Sequence, residues 1–143
     1  DPVHDVPLAD ELALQTEYLE IERERFSDRM VFRMHVPEEV RGALVPSLIL
    51  QPLIENAIKH GVGAAPGRVE IALTAERESD RLRVTIENDM PTSTVPRPAG
   101  MSVGQLNVAE RLRVRFQGKG RFWSGPVAPG RYRACIELPW KQA

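Results

Sequence analysis

The sequence predicts an α+β fold: a two-layer α/β sandwich in which a mixed, mostly antiparallel sheet of about five strands is covered by three helices. Three observations predict it. Three segments repeat their apolar residues at helical spacing. Strands that alternate apolar and polar residues lie between and after them, two pairs being close enough to form hairpins. The length, 143 residues, suits one domain with a single real core. Neither a strand-linked G-x-G-x-x-G fingerprint nor a G-x-x-x-x-G-K-[ST] phosphate loop is present, so any nucleotide would be held by another solution.

The first helix is expected from about Pro7 to Phe26. Pro7 fits a first helical turn, and Asp10 and Glu11 sit favourably against the positive end of the helix dipole. Leu8, Leu12, Leu19 and Phe26 form one stripe, and Leu14, Tyr18 and Ile21 a second on another side. Either the second stripe needs a partner or both belong to one wide buried face. Met30 to Val36 follows as a strand that Pro37 ends, with a short helical turn over 37–40. His35 within that strand and His4 before the first helix are solvated or filler positions with no assigned chemistry.

A second helix is expected from Val45-Pro46 to His60, stopped by Gly61. Val69, Ile71, Leu73 and Ala75, then Leu82, Val84 and Ile86, form an antiparallel hairpin around Glu78-Ser79-Asp80. Residues 89–103, with Pro91, Pro96, Pro98 and Gly100, form a mobile loop. The third helix spans about Val103 to Gln117, presents Val108, Ala109, Leu112 and Phe116 on one face and ends at Gly118. A last hairpin pairs about Gly120–Ser124 with 131–138, with Tyr132, Ala134, Ile136 and Leu138 on one side and a turn through 125–130. Trp123 is assigned to packing in this hairpin and Trp140 to an end anchor.

Composition removes several function classes. Nineteen Lys+Arg against 20 Asp+Glu give a formal charge of −1, without the basic excess of a nucleic-acid module. No apolar run approaches the ~18–20 residues of a membrane-spanning helix. The single cysteine, Cys135, excludes an internal disulfide and a Cys-rich zinc site and fits a reducing compartment. The chain reads as a cytoplasmic domain, and its start at Asp1-Pro2 without a methionine reads as a piece of a longer protein.

The second helix carries the chemistry. On its wheel Glu55, Asn56, Lys59 and His60 gather on one side, while Leu50, Leu53, Ile54, Ala57 and Ile58 occupy the other. A carboxylate, a carboxamide, an ammonium and an imidazole can together hold a hydrated divalent cation and a polyphosphate. Asn56 offers a hard oxygen to magnesium, Lys59 a point charge to phosphate and Glu55 a base. Plain amphipathicity also accounts for them, with Glu55 and Lys59 an i,i+4 pair worth ~0.2–0.5 kcal/mol and His60 suited to a helix end.

Leu50-Gln51-Pro52-Leu53-Ile54-Glu55-Asn56-Ala57-Ile58-Lys59-His60-Gly61 closely resembles the N box of the LytS/AlgZ-type bacterial sensor histidine kinases, whose catalytic domains belong to the GHKL ATPase superfamily. Residues 6–12 and 18–26 are similar to the segment that leads into that box, so the likeness covers nearly the whole chain. It implies a Bergerat-type ATP-binding fold over 29–143, preceded by a linker helix, 1–28, from a dimerisation region. It further implies Asn56 as Mg2+ ligand, Lys59 and His60 as phosphate contacts and Glu55 as the group that polarises the attacking atom. Residues 100–112 match the family's glycine-rich second box, which places Gly100, Gly104 and Asn107 at the nucleotide, with Ser102 where another glycine is usual.

The resemblance puts Asn88 where the superfamily has the aspartate that accepts the adenine amino group, followed by Asp89-Met90 in place of the usual glycine-containing turn. Asn88 can still serve: its carbonyl oxygen can accept from an exocyclic amine while its nitrogen donates to the ring. As an ordinary residue it would simply close a strand. Arg111, Arg113 and Arg115 read as a solvated helix side from which one could reach phosphate. The implied function is transfer of the ATP γ-phosphoryl group to a histidine outside this chain. The implied partners are the protein's own dimerisation helices, a second copy, and a response regulator, in a parent anchored at the membrane. The competing expectation is a degenerate GHKL domain with weak or no ATP binding that acts as an interaction module.

Overall fold

The computed structural model describes residues 4–62, 67–91 and 102–142. A short strand, β1 (Asp5–Pro7), leads directly into α1 (Leu8–Phe26), and a 3-10 turn connects α1 to β2 (Met30–His35). Then come β3 (Leu44–Pro46), α2 (Gln51–Ala57), β4 (Val69–Glu78), β5 (Arg81–Asp89), α3 (Val103–Arg115), β6 (Arg121–Ala128) and β7 (Arg131–Pro139). The main sheet has the order β2-β4-β5-β7-β6. Among the described residues only β2 and β4 pair in parallel, which their long connection through α2 permits. The remaining pairs are antiparallel.

Period-two patterning sorts the sheet into two faces. Val69, Ile71, Leu73, Leu82, Val84, Ile86, Ala134, Ile136 and Leu138 point inward and meet Leu8, Leu12 and Leu19 of α1, Leu53 and Ile54 of α2, and Val108 and Leu112 of α3 in one core. The opposite face is laced by ion pairs such as Arg83 with Glu76 and Glu137 and Arg131 with Asp89. Trp123 lies on this open face opposite Cys135, 49% exposed, rather than packed inside its hairpin. Trp140 does anchor the chain end, under the Arg77 guanidinium at 4.3 Å and hydrogen-bonded from its N–H to the Asp80 carbonyl.

Several elements differ from the sequence expectation. Pro7 belongs to β1, because residues 5–7 pair with 44–46. The second helix does not begin at Val45-Pro46. A residue before proline is pushed toward extended backbone, Val45 takes that conformation in β3, and Leu48 at φ 63 then reverses the chain so that helix starts only at Gln51. The last hairpin runs to Ala128 with a bulge near Pro126, leaving the tight turn to Pro129-Gly130. α3 ends at Arg115, two residues before the expected Gln117, because Gln117 as well as Gly118 takes left-handed backbone. Most of the predicted loop, including Gly100, lies outside the described residues; Asp89 is still strand, and the Met90 N–H bonds the Gly130 carbonyl.

Candidate nucleotide and metal site

Pro52, in the first turn of α2, starts the helix without wasting a donor. Beyond Ala57 the helix widens into a π turn over Ile58–Val62, a distortion that recurs at functional sites. The polar residues of α2 stand at two depths. Asn56 is 8% exposed, whereas Glu55 and Lys59 are exposed and His60 half-buried. Glu55 accepts from Gln51 Nε2 at 3.0 Å. With Lys59 it lines a cleft of about 300 Å3 whose other wall is Tyr18, Glu22, Arg25 and Phe26 of α1. Burial raises the Tyr18 phenol above its ordinary pKa, and the carboxylates of Glu22 and Glu55 add to the shift.

At the end of β5, Asn88 is 1% exposed. Its Nδ2 donates to the Asp89 carbonyl at 2.9 Å, which commits one of its two N–H groups and fixes the amide with Oδ1 as the acceptor end. The two-sided contact expected from sequence therefore narrows to an acceptor with one remaining N–H. Gly61 lies directly above: a side chain there would meet the Asp89 carbonyl oxygen at 3.0 Å and Asn88 Nδ2 at 3.3 Å. Asp89 is a clamp at the end of β5, its carboxylate accepting from the Glu70 N–H of β4 at 2.9 Å and from Arg131 Nη1 of β7 at 2.8 Å. Burial lowers the Arg131 pKa, but the bonds to Asp89 and Glu87 outweigh it and the guanidinium is raised on balance.

α3 opens with a reciprocal cap. Ser102 Oγ accepts from the Gln105 N–H and Gln105 Oε1 accepts from the Ser102 N–H, each at 3.2 Å. Buried Gln105 also donates from Nε2 to Tyr132 Oη at 3.4 Å, and Tyr132 pairs with Asn88 across the β5–β7 ladder. Gly104 stands beside α2, a Cβ on it falling 3.5 Å from Pro52 Cβ. The first turn of α3, the first turn of α2 and the strand end at Asn88 are thus neighbours. Asn107 is exposed on α3, and Gly100 lies outside the described residues.

Arg111 and Arg115 depart from the sequence reading, whereas Arg113 stays on the solvated side as expected. Arg111 Nη2 donates to the Ser47 carbonyl at 2.8 Å, Arg113 pairs with Glu110, and Arg115 Nη2 bonds Asp5 Oδ2 at 2.5 Å. Ser102-Val103-Gly104-Gln105 is a capping-box pattern that was visible in the sequence, whereas no local signal marks Tyr132. Among the described residues no three His, Cys, Asp or Glu side chains gather as a metal cluster. A divalent cation here would be held by the Asn56 oxygen together with polyphosphate oxygens, a donor set of hard oxygens that Mg2+ accepts.

No family model matches the chain. In three dimensions it superposes on the nucleotide-free catalytic domain of the histidine kinase ThkA with TM-score 0.71 and 15% identity, covering 99% of each chain. The fold is that of a histidine kinase catalytic domain. In sequence it is 35% identical over 141 residues to the sensor histidine kinase BtsS of Escherichia coli K12, a match covering 98% of this chain and 25% of the relative. It is 24% identical over 148 residues to the sensor protein LytS of Enterococcus faecalis, with 96% and 25% covered. The chain belongs to the sensor histidine kinases, and spans about a quarter of the length of the curated relatives it matches.

Proposed function

We propose that this chain binds ATP with Mg2+ and delivers the γ-phosphoryl group to a histidine outside it, residues 1–28 continuing from a dimerisation region and 29–143 forming the catalytic domain. The observation that carries this is the meeting of three separated segments: Gly61 on Asn88, Gly104 on Pro52, and Gln105 on Tyr132. Asn88 Oδ1 accepts from the adenine amino group, a donor that guanine lacks at that position. The Asn56 carboxamide holds the cation, which neutralises phosphate charge when bound. Lys59 and His60 contact phosphate oxygens, and the amides around Gly100 and Gly104 follow the chain of phosphates.

In the transfer, an imidazole nitrogen of the acceptor forms the new bond to the γ-phosphorus as the bond to the ADP oxygen breaks. Glu55 polarises the imidazole and takes its proton. Most of the acceleration is positioning and charge neutralisation. A response regulator is the downstream partner in this reading, supported by the solved complex of the histidine kinase ThkA with the response regulator TrrA. A second copy and a membrane-anchored parent with this domain in the cytoplasm complete it. Among the described residues no helix is long and apolar enough to cross a membrane.

Calorimetric titration with Mg2+ present tests the base assignment: the chain should bind an adenine nucleotide weakly, bind the guanine analogue at least about tenfold less tightly, and not phosphorylate itself. Equal affinity for the two bases would refute the role of Asn88. One observation favours the second reading, an interaction module: Leu14 and Ile21 of α1 are 42% and 68% exposed. No nucleotide binding by the folded chain, together with self-association lost on replacing those residues with serine, would establish it instead.

A further inference from the structure

Glu11 is a carboxylate in the buried stripe of α1, 2% exposed between Leu8 and Leu12. Such a group is tolerated only when its oxygens are satisfied. Its partners are backbone N–H groups: Oε1 accepts from Leu48 at 3.0 Å and Oε2 from Leu50 at 2.9 Å. Those donors belong to the turn before α2, where Leu48 has φ 63 and Leu50 offers no side-chain cap of its own. α2 has seven residues, too few to be helical without outside support. Glu11 therefore caps a helix that belongs to another part of the chain.

The same turn is gripped from the other side, because Arg111 of α3 donates to the Ser47 carbonyl at 2.8 Å. α1 and α3 thus hold one short segment between them, and Asn56 lies six residues beyond Leu50. One turn after Glu11, Gln15 is 1% exposed, and neither its Nε2 nor its Oε1 has a hydrogen-bond partner among the described residues. An unsatisfied buried amide opposes the docking of the middle of α1. The Glu11 bonds are then a polar link that ties this helix to the start of α2.

We propose that Glu11 is a positioning residue that sets the start of α2, and with it Asn56, according to where α1 is docked, so that nucleotide binding and α1 docking are coupled. This rests on the nucleotide reading above. The test uses the whole chain, Mg2+-ADP titration and hydrogen exchange read by mass spectrometry. Glu11→Gln keeps the size but turns an amide donor toward one of the two N–H groups.

In the unmodified chain, nucleotide should slow exchange in 8–26 and 48–57; no slowing in 8–26 overturns the coupling. Glu11→Gln should weaken ADP by about five- to tenfold and abolish the slowing in 8–26 while β5 and β7 keep their protection. Wild-type affinity with that slowing intact overturns the proposal. Leu19→Ala loosens α1 without touching the link, so the coupling predicts that it too weakens ADP, while the slowing in 8–26 persists because Glu11 is intact; unchanged affinity in a Leu19→Ala chain whose 8–26 exchange is faster than that of the unmodified chain also overturns it. If the unmodified chain binds no nucleotide, the functional reading fails by itself. Exchange over 51–60, expected to be faster in Glu11→Gln, then tests the link alone, and unchanged exchange there sinks it.

Discussion

Gly61 approaches Asn88 closely enough that a β-carbon on it would stand 3.3 Å from Asn88 Nδ2, with the Asp89 carbonyl oxygen at 3.0 Å and Val69 Cγ1 at 3.1 Å. One of these contacts is a backbone oxygen and the other two are side-chain atoms of strand residues, so a methyl group is admitted only if the strand or the π turn gives by a few tenths of an ångström. Gly61→Ala should cost ~1–3 kcal/mol as overpacking, read from urea unfolding, and should weaken adenine nucleotide binding in parallel. A variant as stable as the parent chain would show that this approach constrains nothing.

The cap of α3 predicts an order among substitutions at one position. Ser102→Ala removes the acceptor for the Gln105 N–H and should cost ~1 kcal/mol, whereas Ser102→Gly should cost only a few tenths. Thermal unfolding of both variants would measure it. A larger loss for Ser102→Gly than for Ser102→Ala, the order that helix propensity alone gives, would mean that the cap contributes nothing.

Two groups make the stability fall in alkali. Burial raises the Cys135 thiol above its usual value of 9.0 and the Tyr18 phenol above 10.0. In both, the folded chain holds its proton at a pH where the unfolded chain has released it. Their stabilising contribution is complete below the unfolded values and is lost as pH rises through the folded ones. Unfolding midpoints should therefore decline from about pH 9 upward, and alkylation of Cys135 should lag behind that of the denatured chain at pH 9. Equal alkylation rates in native and denatured protein would contradict the burial of the thiol.

Much of this site was legible because it lies in short sequence signatures. Residues 50–61 carry their own helical pattern, and 102–105 their own cap. The strand alternation of Val69–Ala75 and Leu82–Ile86 likewise needs no distant information. What could not be read depends on contacts across the chain. Val45-Pro46, already biased to extended backbone by the proline, is held as a strand by pairing with residues 5–7, and Arg111 is drawn to Ser47 rather than to solvent. Glu11 looked like an ordinary acidic residue in a first helical turn, since its partners at 48 and 50 become neighbours only after folding. The split of α1 into two stripes was visible, and the structure buries Leu8, Leu12 and Leu19 while leaving Leu14 and Ile21 exposed.

The most direct test is a titration of this chain and of Asn56→Ala with ATP, each with Mg2+ and with EDTA. The account predicts Mg2+-dependent binding by the parent chain and, in the variant, a loss of at least about tenfold, or ~1.4 kcal/mol, confined to the Mg2+ arm. Equal affinities for the two proteins in Mg2+ would remove the carboxamide from the cation and contradict the site as described.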